Sequence, residues 1–324
     1  MGYSLDGKFV LITGATGSFG RKFLELALRE TSVAKLIVFS RDELKQLEVR
    51  NMFPDEDRLR FVIGDVRDRD RLYRTFNGVD VVIHAAALKQ IPAAEYNPFE
   101  FVQTNVIGAQ NVIDAAIDND VERVVALSTD KASSAINVYG ATKLVSDKLF
   151  IAGNVYVGKK PVRFSIVRCG NLIGSRGSVV PHFKEQAKTG KLAVTDPSMT
   201  RFWTTPDRAV QMVFDALEVM DGGEIYVPKI PSMRIAELAK ALAPDAEIEI
   251  TGIRPGEKMH EEMIGPFDAR RTLDCGSHYV ILPEVAVQHG SIPKGDPVPA
   301  GFSYSSETND EWLDAAGLRA MLGD

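Results

Sequence analysis

Tyr139 and Lys143 stand four residues apart in the run Tyr139-Gly140-Ala141-Thr142-Lys143. On a helix that spacing puts both side chains on one face. A phenol has an ordinary pKa of about 10 and is a poor base at neutral pH. A nearby cation favours the phenolate, and such a tyrosine can take the proton of an alcohol while hydride leaves the same carbon. The pattern is common by chance and gains weight only from its surroundings. A little upstream, Leu127-Ser128-Thr129-Asp130-Lys131 sets a hydroxyl, a carboxylic acid and an amine side by side. Alcohol oxidation alone needs Thr129 and Tyr139. Asp130 and Lys131 point to additional proton transfers; the other reading of that pair is a surface ion pair, worth little.

Hydride needs an acceptor, and the N-terminal segment offers a place for one. An apolar run at 9–13 leads into Thr13-Gly14-Ala15-Thr16-Gly17-Ser18-Phe19-Gly20, whose glycines are spaced G-x-x-G-x-x-G. This is a variant of the dinucleotide fingerprint, in which glycine permits a tight turn and close approach of backbone to a pyrophosphate. The following helix would present free N–H groups to the phosphates. A Gly-rich turn that binds nothing is the alternative. Its placement between the first strand and an apolar helix argues against that. The next strand ends in Phe39-Ser40-Arg41-Asp42. There an acidic residue grips a ribose 2′-hydroxyl, whereas an arginine accommodates a 2′-phosphate. Ser40 and Arg41 come first, so NADP is expected. The competing possibility is that Arg41 is solvated and Asp42 takes the ribose of NAD. Further along, Asp65 and Val66 are expected near the adenine. Ala85 and Ala86 supply small residues after His84, which is itself expected to be a packing residue.

These groups need a frame. Short runs rich in Val and Ile at 9–13, 35–39, 59–63, 79–84, 123–127 and 163–168 read as buried parallel strands. Helical patterns at 20–30, 41–51, 68–76, 104–119 and 139–152 alternate with them. The expected fold is α/β: a doubly wound parallel sheet of the NAD(P)-binding Rossmann type with a smaller C-terminal substrate-binding lobe. Thr205-Pro206-Asp207 reads as a capped helix start, and the helix and strand that follow, to about 228, should return to the main sheet. The dinucleotide-binding domain is thus expected at 1–170 plus 205–228 and the lobe at 171–204 plus 229–324, with 287–309 as loop.

Composition bounds the function. The 324 residues carry a net charge of −6 and no basic run, which disfavours nucleic acid. Cys169 and Cys275, the two cysteines, suit a reducing compartment. No apolar run is long enough to span a bilayer, and Met1 to Lys8 lacks the layout of a signal peptide. A cytoplasmic protein that binds no membrane is expected. His182, His260, His278 and His289 lack metal-ligand spacing, so no metal is expected. Trp203 and Trp312 read as packing residues.

With Gly14–Gly20, Tyr139 and Lys143, the chain resembles the extended short-chain dehydrogenase/reductases. More closely, it resembles the inverting UDP-N-acetylglucosamine 4,6-dehydratases that open the pseudaminic acid pathway used in flagellin glycosylation. The segments that carry the likeness are 39–46, which includes Lys45 and Gln46, then 86–89 and 94–98, 128–131, 137–143, 170–171 with 174–181, 200–203 and 254–258. Retaining relatives usually have Thr-Asp-Glu where Thr129-Asp130-Lys131 stands here. Cys169 replaces a frequent tyrosine.

The resemblance implies NADP, a UDP-sugar and a homo-oligomer, dimer or hexamer. Tyr139 would assist removal of the C4 hydrogen as hydride, Lys131 would take the C5 proton, and Asp130 would help protonate the departing 6-hydroxyl. Hydride would then return to C6, with C5 reprotonated on the opposite face. At a pKa of about 10.4, fewer than about one lysine in a thousand is neutral at pH 7, so a basic Lys131 needs its pKa lowered by about 2–3; desolvation is the expected cause.

The same resemblance puts Ala85, Lys89, Leu127, Ser128, Asn171, Arg176, Gly177, Ser178, Val179, Val180, Pro181, Thr195 and Arg201 around the sugar nucleotide. Arg254 would bind its diphosphate and Glu257 its uridine ribose; a surface Arg–Glu loop pair is the plainer reading of those two. Lys89 and Leu172 would also border the cofactor. Two alternatives stay open: a sugar-nucleotide 4-epimerase, which has no need of the Asp130–Lys131 pair, and a non-catalytic NADP-sensing regulator.

Overall fold

A computed structural model describes residues 3–284 and 293–323. Six apolar runs form β1 (Phe9–Thr13), β2 (Lys35–Ser40), β3 (Leu59–Ile63), β4 (Val81–His84), β5 (Arg123–Thr129) and β6 (Arg163–Cys169). They pair in parallel in the order β6-β5-β4-β1-β2-β3. The order reverses between β1 and β4, which opens a crevice at their carboxyl ends. The sheet is buried on both faces. Leu11, Ile37, Val82 and Phe164 pack into one core with Leu72, Val112 and Phe150. Val10, Ile12, Val38 and Val125 pack into the other with Phe23, Val213 and Leu217.

The helices start where side chains can satisfy their free N–H groups. Asp42 accepts from Lys45 N, Asp68 from Arg71 N, Asn137 from Gly140 N and Thr205 from Arg208 N. The helix Pro206–Val219 and the strand Ile225–Pro228 return to the sheet beside β6. The sheet then continues further. His278–Ile281 adds antiparallel to Ile225–Pro228, followed by Thr272–Asp274 and Asp296–Pro297. These strands come from a segment expected within the C-terminal lobe.

The single helix expected at 104–119 is a compound structure. Ile91–Tyr96 and Pro98–Phe101 precede a π-helical turn, Val102–Ile107, and then Gly108–Asp118. Pro98 has no N–H to extend the first helix and restricts Asn97 before it, so the chain restarts there.

The lobe is built on the strands Asn171–Leu172, Thr200–Thr204 and Ser232–Arg234. Helices Val179–Ala187, Ile235–Leu242 and Ala315–Leu322 enclose its core with Phe183, Leu192, Trp203, Leu238 and Leu318. Trp203 is fully buried, whereas Trp312 is exposed beneath the Arg234 guanidinium. Within the expected loop at 287–309, Asp296–Pro297 and Tyr304–Ser305 form short strands. His289 lies outside the described residues.

Candidate active site

The carboxyl ends of β1, β2, β4, β5 and β6 border one cleft of about 540 Å³. At its floor the glycine turn is required by space. A Cβ on Gly14, whose φ is +69°, would fall 2.8 Å from Ala86 N and 2.9 Å from the Ala85 carbonyl. One on Gly20 would overlap the Ala15 backbone. Gly17 caps the helix Ser18–Glu30 without a side chain, and no acidic residue lies in its first turn. Its leading N–H groups therefore face the cleft with the positive end of the helix dipole. That arrangement fits the pyrophosphate of a dinucleotide.

At the adenosine end, Ser40, Arg41, Asp42, Lys45, Asp65 and Val66 line the cleft. Asp42 is occupied: its carboxylate caps the next helix and meets Lys45 Nζ at 2.7 Å. Arg41 is exposed and 3.5 Å from Asp65 Oδ2. Gln46 is buried behind this wall, where its amide donates to Ser40 O and Val62 O and braces the end of β2.

At the opposite end, β5 and the helix Val138–Tyr156 bring Thr129, Lys131, Tyr139 and Lys143 to the cleft, whose wall also includes Lys89, Leu127, Ser128, Asn171, Leu172, Gly177 and Ser178, whereas Arg176, expected at the sugar nucleotide, lies against Ser18 of the glycine turn and 3.2 Å from Glu48. Lys131 Nζ is 2.9 Å from Asp130 Oδ1, 3.2 Å from Asn171 Oδ1 and 3.2 Å from Glu261 Oε1. Asp130 is completely buried, and its Oδ2 has no hydrogen-bond partner. The Thr129 hydroxyl donates to Asp130 Oδ1. The surface ion-pair reading of Asp130 and Lys131 is therefore excluded.

The electrostatics depart from the sequence expectation in two ways. Burial alone lowers the Lys131 pKa, but Asp130 and Glu261 outweigh it and hold the ammonium above the ordinary lysine range. Desolvation therefore does not by itself make Lys131 a base. Tyr139 is pushed up to about 12 by burial, with Lys131 and the Thr129 hydroxyl pulling it back. Lys143 instead donates to the Leu127 carbonyl at 2.7 Å, and burial lowers its own pKa, partly offset by Asp147. Lys89, depressed by burial and by the Lys131 charge, adds another amine at the same end.

Several expected substrate contacts do not line the cleft. Val180 is in the lobe core, Val179 and the exposed Pro181 lie in the first turn of the helix Val179–Ala187, and Thr195 is buried. Arg201 is buried too, donating to Thr200 O, Met259 O and Lys258 O, so it fastens the 258–261 segment. Arg254 is exposed, 4.0 Å from Glu257. Their turn docks on the start of the helix that carries Tyr139 and Lys143, where Asn137 Nδ2 donates to Gly256 O at 2.7 Å. Lining residues not foreseen include Gln90, Thr104, Cys169 and Ala209. Cys169 is held as the thiol, its pKa raised to about 12 by burial. Thr104 lies in the π-helical turn, a local irregularity that often marks a site, and its spacing gave no hint of this. Among the described residues no group of His, Cys, Asp and Glu is arranged to hold a metal ion, and no helix is long and apolar enough to cross a membrane.

Known proteins share this architecture. Residues 10–283 match the model of a family described as polysaccharide biosynthesis protein. A protein from Campylobacter jejuni named UDP-N-acetylglucosamine 4,6-dehydratase (inverting) is 50% identical over 98% of both chains. A UDP-glucose 4-epimerase from Rickettsia canadensis is 42% identical, over 85% of this chain and 82% of its own. The solved structure of Pen from Bacillus thuringiensis superposes with a TM-score of 0.90 at 35% identity, covering 99% of each chain. The dTDP-glucose 4,6-dehydratase DesIV from Streptomyces venezuelae, solved with NAD and TYD bound, has a TM-score of 0.69 at 26% identity, over 77% of this chain and 86% of that one. A match across most of the sequence, together with the glycine turn and the Tyr139–Lys143 helix, establishes that the chain belongs to the polysaccharide biosynthesis protein family, within the extended short-chain dehydrogenase/reductases.

Proposed function

We propose that the chain is an NADP-dependent UDP-N-acetylglucosamine 4,6-dehydratase that inverts C5. The observation that carries this is the Lys131–Asp130 contact at 2.9 Å, buried beside Tyr139 at the nicotinamide end of the cleft. A 4-epimerase needs Tyr139 and a cofactor but no such pair. The C. jejuni relative is named for dehydration and matches more of the chain than the epimerase does.

The glycine turn Gly14–Gly20, Ser40, Arg41 and Lys143 would hold a nicotinamide cofactor, which would supply reversible hydride transfer between C4 and C6 and a positive ring that favours the Tyr139 phenolate. Tyr139, whose pKa the Lys131 charge and the Thr129 hydroxyl pull down against burial, takes the C4 hydroxyl proton as the ketone forms. That ketone acidifies the C5 hydrogen. Moving one proton from Lys131 to Asp130 across their contact produces an amine and a carboxylic acid at once. The amine takes the C5 proton, the acid protonates the departing 6-hydroxyl, and the starting charges are restored. Asn171 orients the Lys131 side chain.

NADP rather than NAD is favoured by Ser40, Arg41 and Lys45 at the adenosine end and by the commitment of Asp42 to its cap. Arg254 and Glu257 lie on a turn beside the catalytic helix and take the diphosphate and uridine ribose. The planar guanidinium suits paired phosphate oxygens. A cytoplasmic homo-oligomer, dimer or hexamer, supplying pseudaminic acid synthesis completes this reading. Incubating the purified protein with UDP-N-acetylglucosamine tests it: a dehydratase yields a product lighter by one water, whereas an epimerase or a non-catalytic sensor leaves the mass unchanged.

A further inference from the structure

Glu261 is 2% exposed, lies far from the catalytic loop in sequence, and has no part in the chemistry above. It precedes the strand Glu262–Ile264, which pairs with Tyr304–Ser305. Its Oε1 is 3.2 Å from Lys131 Nζ, while Oε2 makes no hydrogen bond. The charged and titratable groups facing Lys131 are Asp130 from its own turn, Glu261, Arg201, Lys89, Tyr139 and Lys258. Arg201 donates to three backbone carbonyls and is 3.8 Å from both Glu257 Oε1 and Glu261 Oε1, and Lys258 Nζ is 3.9 Å from Glu261 Oε2, so Lys131, at 3.2 Å, is the nearest of three cations to Glu261. Lys258 donates to Ser133 O, within the loop that carries Lys131. Lys131 therefore lies between two buried carboxylates, one of which, Asp130, already belongs to the proposed proton transfer.

We propose that Glu261 is a positioning residue for the dehydration: it holds Lys131 as the ammonium, aims it at Asp130 and Asn171, and decides how readily it gives up its proton. This rests on the dehydratase reading for its purpose but not for its test. Removing the negative charge while keeping the shape leaves a cationic surplus of Arg201, Lys258 and Lys89 around Lys131, which favours the neutral amine. The adjacent Glu262 provides a control, because its carboxylate accepts from Ser133, Ser134 and Ser303 instead.

The test is the rate at which Lys131 is acetylated by acetic anhydride at about pH 8, read from the mass of its peptide, since only the neutral amine reacts. Glu261→Gln should react at least about tenfold faster than the unaltered protein, the equivalent of one pH unit. Glu262→Gln should react at the unaltered rate. With turnover, the basic limb of the kcat profile should move to lower pH in Glu261→Gln, because Lys131 then loses to solvent the proton it must pass to Asp130, with KM for the sugar nucleotide little changed. Should Glu261→Gln not fold, Glu261→Asp retracts the carboxylate and should give a smaller acceleration. An unchanged acetylation rate in whichever Glu261 variant folds, or equal acceleration in Glu262→Gln, overturns the proposal. Acetylation requires no turnover, so the expected rates in a protein that removes no water would leave the Glu261 assignment standing and reject the dehydratase reading alone.

Discussion

Gly140 packs so tightly on Lys131 that a Cβ added there would overlap the Lys131 carbonyl oxygen, and it would meet the Ala135 methyl at 3.3 Å. Gly140 directly follows Tyr139, so this close approach joins the phenol to the ammonium through two backbones. Its φ is negative, and the demand is for space alone.

Gly140→Ala should therefore separate Lys131 from Tyr139. Overpacking a closed site costs about 1–3 kcal/mol, and a displacement near 1 Å at reacting groups costs about a hundredfold in rate. The expected variant folds with a lower midpoint in urea, binds cofactor normally, and loses most of its kcat. A variant with unaltered kcat would show that Lys131 and Tyr139 need no fixed separation.

Arg41 reports on cofactor choice. It is exposed at the cleft, whereas Asp42 is held by its helix cap and Lys45. Hydrogen bonds to charged groups contribute about 1.5–3 kcal/mol, which is about ten- to a hundredfold in Kd. Arg41→Ala should weaken NADP by about that factor and leave NAD almost unaffected, as measured by calorimetry. Equal weakening of both would assign Arg41 to a group they share.

Much of this site was legible because it is local. The strands 9–13 and 59–63 fall where their Val and Ile content puts them, and the glycine turn and the Tyr139–Lys143 helix are contiguous motifs. What was missed is carried by contacts across long sequence distances. Glu261 meets Lys131 from 130 positions away, and no spacing rule links them. Lys143 shares a helix face with Tyr139, yet its flexible side chain reaches the Leu127 carbonyl. The antiparallel strands at 272–281 are short and ordinary in composition, and their place at the sheet edge is set by their partner, Ile225–Pro228.

His84 ties acid stability to the cofactor crevice. The Thr13 hydroxyl accepts from Ala85 N and Ala86 N, so its own proton goes to His84 Nδ1, 2.9 Å away, and the imidazole is neutral. Burial and then the Lys143 charge push its pKa down to about 3. The folded value is depressed, so the stability His84 contributes is complete above the unfolded pKa of about 6.5 and is lost as the pH falls toward 3. In that window the unfolded chain binds an extra proton, costing about 1.4 kcal/mol per pH unit. His84→Gln should remove this part of the slope in urea unfolding measured at several pH values, though it starts from a lower stability at neutral pH. Identical slopes would mean that His84 is charged in the fold.

Dehydration by this site requires Lys131 to handle the C5 hydrogen while water is lost. UDP-N-acetylglucosamine converted in deuterium oxide, with the product read by mass and proton NMR, tests this directly. The unaltered protein should give a 4-keto-6-deoxy sugar that has lost one water, carries deuterium at C5 and has the inverted C5 configuration, and Lys131→Met should give none of it. A product with the original C5 hydrogen and configuration, or normal C5 exchange in Lys131→Met, would contradict it.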